Sequence, residues 1–111
     1  MGFNMNFQHK DLKDRWLLFS FPHQMLNIGS EVSRALNWKD KDKIISENSF
    51  FRALELIFFT IESLQKNNDL NKIKELCLSK EVLYDYFFGN NEYDSNPDNL
   101  MKYYNDFITL V

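Results

Sequence analysis

From Ser30 to Phe88 the chain contains neither Gly nor Pro, the two residues that most often punctuate structure. No run alternates apolar and polar residues, and no hairpin dipeptide interrupts the stretch, so nothing in it asks for strands. Apolar residues recur at helical spacing instead. The expectation is an all-α fold: a four-helix, mostly antiparallel bundle with a short extra N-terminal helix. One domain covers residues 1–111, and residues 1–10 are expected to be flexible.

Start and stop signals divide the chain. Asp11 to Phe19 forms a short helix, and Ser20 before Pro22 has the pattern of an N-cap with Pro in the first turn. A second helix is predicted from Phe21 to Trp38 and a long one from Asp42 to Lys66, where Asn67-Asn68-Asp69 breaks it. The next runs from Leu70 to Phe88, with Gly89 as the left-handed residue after its end. Ser95 and Asp98 frame Pro97 like a capping box, and the last helix runs from Asn96 or Pro97 to about Leu110.

Composition says what such a chain builds. It is 44% hydrophobic and 16% aromatic with eleven Phe, enough large side chains to fill a core. Cys77 is the only cysteine, so no intramolecular disulfide forms, and a cytoplasmic location is expected. The most apolar run, Leu56 to Ile61, is far shorter than the ~20 residues of a membrane helix. Residues 1–10 lack the basic and apolar regions of a signal peptide, and Asn6 stands where a myristoylation signal wants Ser or Thr. The net charge is −3, and the mild positive excess of residues 1–43 is scattered over Lys10, Lys13, Arg15, Arg34, Lys39, Lys41 and Lys43. Nucleic-acid binders gather such residues into a stripe, so neither nucleic acid nor membrane is expected as a partner.

On helical wheels the second helix gathers Met25, Ile28, Val32, Ala35 and Leu36 on one side. Gly29 lies beside them, where its missing side chain allows another helix to approach. The long helix carries Phe50, Ala53, Leu54, Ile57, Ile61 and Leu64, while Leu56, Phe58 and Phe59 extend apolar character almost all the way round. That helix is expected to be central or to meet a second chain. The following helix presents Ile73, Leu76, Leu83, Tyr84 and Phe87, and the last presents Leu100, Met101, Tyr104, Phe107 and Ile108. Lys80 interrupts an apolar stripe. Either its methylenes cover apolar surface while the ammonium reaches water, or it is paired within a buried polar cluster with Glu31, Glu55, Glu81 or Asp85.

Two candidate faces follow. Asn27, Glu31, Arg34 and Trp38 share one side of the second helix, with spacing i, i+4, i+7, i+11, and Arg52 and Phe59 repeat the theme on the long helix. Trp and Arg commonly anchor interfaces, so these six form the expected interaction face of a homodimer. A solvated face with Glu31 paired to Arg34 is the plainer alternative. The second candidate is the polar cluster Glu31, Glu55, Lys80, Glu81 and Asp85.

Familiar chemistry finds little support. His9 and His23 lack neighbouring ligands at metal spacing, Glu-x-x-His pairs of di-iron bundles are absent, and no Cys/His cluster suits zinc. Cys77 has no nearby His to activate it and reads as core packing. No catalytic residue, metal or cofactor is expected.

The blocks Asn27-Ile28-Gly29-Ser30-Glu31-Val32-Ser33-Arg34-Ala35, Arg52-Ala53-Leu54-Glu55-Leu56 and Glu81-Val82-Leu83-Tyr84-Asp85-Tyr86-Phe87, with Asn91-Glu92-Tyr93, resemble a family of small uncharacterised helical proteins of bacteria and archaea. The resemblance spans residues 16 to 107 and implies that Asn27, Glu31, Arg34, Arg52, Glu55, Glu81 and Asp85 are motif positions, with no activity attached. At the level of fold alone the pattern is similar to HEPN-type helical domains, many of which act on RNA, although their Arg-x4-6-His motif is absent. The favoured function is a non-catalytic helical protein-interaction module. The alternative is an enzyme or RNA-associated domain, HEPN-like or similar to metal-dependent phosphohydrolases, that uses the carboxylate and Lys cluster.

Overall fold

A computed structural model describes residues 13–110. The expected flexibility of residues 1–10, the start of the first helix at Asp11, and His9 lie outside the described residues. A short helical turn at residues 13–16 leads into α1 (Phe21–Trp38), α2 (Lys43–Lys66), α3 (Leu70–Phe88) and α4 (Pro97–Asn105), and a 3-10 segment, Asp106–Leu110, ends the described chain. Among the described residues there is no strand, and the fold is all-α.

Local chemistry sets the helix boundaries. The Ser20 hydroxyl accepts from the His23 amide at 3.3 Å, and Asp42 Oδ1 accepts from the amides of Ile44 and Ile45, both at 3.1 Å. Each satisfies amides that a helix start leaves without a partner. Between α2 and α3, Asn68 adopts φ 55° and turns the chain, a conformation that Asn tolerates; Asp69 then caps α3 through the Lys72 amide.

Two bounds shift, the first helix ending at residue 16 rather than Phe19 and α2 starting at Lys43 rather than Asp42, and three further signals act otherwise than expected. Gly89 is not left-handed; its φ of −97° and ψ of −157° are extended. Its value is spatial, because a Cβ there would lie 2.9 Å from Asp85 Oδ1 and 3.0 Å from the Asp85 carbonyl oxygen. The cap of α4 falls one residue after Ser95: Asn96 and Asn99 exchange side chain-to-amide bonds, both at 2.9 Å. An amide side chain at the third helical position answers the cap as Glu or Gln would. The last helix also ends earlier, tightening into the 3-10 segment at Asp106.

Contacts between helices give their directions. Ser46 Oγ donates to the Ala35 carbonyl at 2.7 Å, and Arg52 Nη1 donates to Glu31 Oε2 at 3.4 Å; stepping back along α1 steps forward along α2, so the two are antiparallel. Across α2 and α3, Phe50 meets Phe87 and Phe88 while Lys80 meets Phe58, again antiparallel. Gly29 meets Tyr104, and Phe21 meets Phe107, which runs α4 back along α1. The closest seams are α1 with α2, α1 with α4, and α2 with α3; no seam of that kind joins α3 to α4. The bundle is therefore open on one side.

The core collects Met25, Ile28, Val32 and Ala35 from α1, Phe50, Ala53, Leu56, Ile57 and Leu64 from α2, Leu76 and Leu83 from α3, and Leu100 and Tyr104 from α4. Tyr84 and Ile108, expected in the apolar stripes, are exposed. Trp16 is buried at the N-terminal end and organises a polar network: its indole N–H donates to Thr60 Oγ1 at 2.9 Å, and its carbonyl accepts from Gln24 Nε2 at 3.0 Å. Thr60 in turn donates to the Leu56 carbonyl at 2.8 Å. Gln24 and Thr60 are both buried, and these bonds offset the cost of removing them from water.

Gly29 sits where α1 and α4 come together. A Cβ at this position would lie 2.7 Å from Tyr104 Cβ and 3.4 Å from Tyr104 Cγ. Tyr104 Cβ is fixed by the α4 backbone, so a methyl group is accommodated only by moving the helices apart. Gly29→Ala gains about 1 kcal/mol of helix propensity and incurs about 1–3 kcal/mol of overpacking at a seam that cannot yield locally. The overpacking wins: urea denaturation will place Gly29→Ala below wild type, and Gly29→Val lower still.

Candidate functional site

The six residues of the expected interaction face are unequally exposed. Arg34 and Arg52 are exposed, Trp38 is 38% exposed, and Asn27 is half-buried. Glu31 turns towards α2 and pairs with Arg52 rather than with Arg34 on its own helix; its side chain keeps only 16% of its exposure. Phe59, expected to project outward, is half-buried against the core. Its neighbour Phe58 projects in its place.

The second candidate, the polar cluster, is brought together only in part: Lys80, Glu81 and Asp85 line one groove, while Glu31 lies elsewhere. Glu31 belongs to the α1–α2 seam. Asp85 fastens the loop after α3: its Oδ1 accepts from the Glu92 amide at 3.0 Å and its Oδ2 from the Tyr93 amide at 3.1 Å. Its carbonyl accepts from Gly89 and Asn91, and the Cβ-free Gly89 leaves room for this clamp. Glu81 is exposed and accepts from the Tyr93 hydroxyl at 3.4 Å. Glu55 is half-buried on α2. Lys80 is half-buried, its Nζ 5.4 Å from the centroid of Phe58; an aromatic face supports the ammonium. The arrangement is nearer to the surface-reaching Lys than to a buried ion pair. Among the described residues no group of three or more His, Cys, Asp or Glu is placed to hold a metal ion.

Two other features emerge from the packing. The first is an aromatic face along the α2–α3 seam. Phe51 and Phe58 are each 53% exposed, Tyr84 55% and Phe88 42%. Phe51 stacks on Phe88 with centroids 5.9 Å apart, and Phe88 meets Tyr84 at 5.4 Å. Tyr84 and Phe58 then line a groove of about 470 Å³ together with Leu54, Lys80, Glu81 and Asp85. Ile44, 73% exposed, continues the stripe towards the start of α2. The signal was present in the sequence as a seven-residue repeat, Ile44, Phe51 and Phe58, the spacing by which one helix face meets another helix.

The second feature is the cleft at the open side between α3 and α4. It encloses about 400 Å³, and its walls include Leu78, Ser79, Val82, Leu83, Leu100, Tyr103 and Tyr104. The Tyr104 hydroxyl donates to Ser79 Oγ at 3.4 Å. The Tyr103 hydroxyl is buried with no hydrogen-bond partner. Burial pushes Tyr104 up to about 12, a rise only partly offset by its bond to Ser79. Tyr103 is raised further, by burial and then by the nearby negative charge of Glu75. No wheel of a single helix locates this cleft, because it exists only where two helices fail to close.

Lys80→Met exchanges an ammonium–ring contact of about 0.5–1 kcal/mol for apolar surface of similar length, so the melting temperature will stay within a few degrees of wild type, about 4–8 °C being the shift expected per kcal/mol in a domain near this size. Alkaline pH acts differently. Both tyrosines have folded-state pKa values above the ordinary 10, so their contribution is complete below pH 10 and is lost as pH rises towards 12. Urea midpoints will therefore fall between pH 10 and 12, with a slope of up to about 1.4 kcal/mol per pH unit for each tyrosine, and Tyr104→Phe will flatten the fall. The chain matches no family model, no curated protein and no solved structure.

Proposed function

We propose that this chain is a non-catalytic helical interaction module that forms a homodimer through the aromatic face of α2 and α3. The observation that carries the reading is the contiguous exposure of Phe51, Phe58, Tyr84 and Phe88. Aromatic side chains bury about 150–250 Å² each, so four of them near half exposure present roughly 400 Å². That is the size of the largest apolar patch on a typical monomer, and such patches are commonly functional. With the flanking Ile44 and Leu54 it supplies the apolar part of the ~800 Å² that one partner contributes to a standard interface.

A second copy suits this face for two reasons. The stripe from Ile44 to Phe58 repeats every seven residues and runs for about 21 Å along the helix, the form of surface that pairs with another of its kind. The groove beside it also carries charges of both signs, Lys80 with Glu81 and Asp85. A two-fold axis places each patch against its own copy, so one protomer's Lys80 can meet the acidic residues of the other. The described residues contain no helix long and apolar enough to cross a membrane. A cytoplasmic setting fits a chain with one cysteine, and the reading needs neither cofactor nor metal.

Sedimentation equilibrium tests the proposal. Wild type will dimerise with a Kd below about 100 μM, while Phe51→Glu and Phe58→Glu will be monomeric with unchanged helical circular dichroism. Trp38→Ala and Arg34→Glu, on the α1 face, will leave the dimer intact. A wild-type monomer at high micromolar concentration overturns the proposal, as does a dimer lost through the α1 substitutions instead.

A further inference from the structure

The cleft between α3 and α4 lies apart from the aromatic face. Its described walls are mostly apolar, from Leu78, Val82, Leu83 and Leu100, and Glu75 is the only Asp, Glu, Lys, Arg or His among them. At about 400 Å³ the space is at the lower end of small-molecule sites. Buried polar groups are nearly always hydrogen-bonded, and one that is not calls for an explanation. Here the exception is the buried hydroxyl of Tyr103, a residue that lines the cleft.

Tyr103 is held by its surroundings. Its ring packs edge-to-face on Tyr104 at 5.1 Å and on Phe107 at 5.7 Å. Two hydroxyls of the walls are already engaged: Tyr104 donates to Ser79, and Ser79 donates to the Leu76 carbonyl. No described side chain supplies what Tyr103 lacks. The carboxylate of Glu75 sets the sign of charge at the site, since no described cation stands in the walls to balance an anion.

We infer that this cleft binds a small apolar molecule with a single polar end, neutral or cationic, whose polar atom completes the hydrogen bonding of the Tyr103 hydroxyl. The apolar body fills the space between Val82, Leu83 and Leu100. A slight outward swing of the phenol brings its hydroxyl to the ligand. Glu75 favours an ammonium over a hydroxyl and disfavours a carboxylate.

Three probes of one shape separate these elements: benzyl alcohol, benzylamine and benzoate, titrated into the whole protein while its amide chemical shifts are recorded. Benzyl alcohol and benzylamine will shift the amides of residues 78–83 and 99–104 with a Kd of about 1 mM, as expected of fragments this small, and benzoate will bind more weakly than either. Tyr103→Phe, which removes an unpartnered hydroxyl and so melts no lower than wild type, will weaken benzyl alcohol about three- to tenfold, the worth of one hydrogen bond. Glu75→Gln will remove the preference for benzylamine. Absence of shifts in these two segments, or benzyl alcohol binding to Tyr103→Phe as to wild type, overturns the assignment. So does benzoate binding as tightly as benzylamine.

Discussion

A missing methyl group at position 29 sets the arrangement of the molecule. Because Gly29 has no Cβ, α4 settles on α1 with Tyr104 directly against the backbone of the first helix. Tyr104 is thereby buried, and Phe107 is brought onto Phe21. The cost is borne on the other side, because α4 drawn this close to α1 does not also form a close seam with α3. A bundle whose fourth helix is anchored in this way keeps a cleft along the seam that remains.

The position of α3 follows. It is held by α2 through Phe50, which packs on Phe87 and Phe88, and only Leu76 and Leu83 among its residues are buried. A helix with so narrow a buried face leaves much of its apolar surface uncovered. On one side that surface joins Phe51 and Phe58 of α2 in the aromatic face; on the other it forms a wall of the cleft. The two candidate sites are thus consequences of one geometric fact. Their chemistry differs: one is broad and flanked by both signs of charge, the other is small and has a single carboxylate.

Much of the architecture was legible in local signals. The bounds of α1 and α3 follow from Ser20, Pro22, Asp69 and the polar break before it, and α2 starts one residue after its expected first residue because Asp42 is the cap. Gly29, beside the apolar stripe of its helix, marks the point of close approach. Where local reading erred, the competing interactions were ones that sequence spacing does not display. Asn96 and Asn99 satisfy each other in place of Ser95 and Asp98, and Gly89 serves the Asp85 clamp rather than a left-handed turn. The role of Trp16 leaves no local signal, because its partners, Thr60 and Gln24, lie on two other helices.

The candidate sites were less legible, and for one reason. A wheel tells which residues share a side of one helix, but not whether another helix covers that side. Glu31, Lys80 and Asp85 looked alike as charges among apolar residues, yet their partners are distributed among a helix seam, an aromatic ring and a loop clamp. The amino-acid sequence by itself determined the helices and their caps, because these depend on interactions within a few residues. It also determined most of the buried stripes, because apolar periodicity is local. Only the tertiary structure decided which apolar faces stay uncovered, since exposure depends on how closely neighbouring helices approach, and here that was settled between Gly29 and Tyr104.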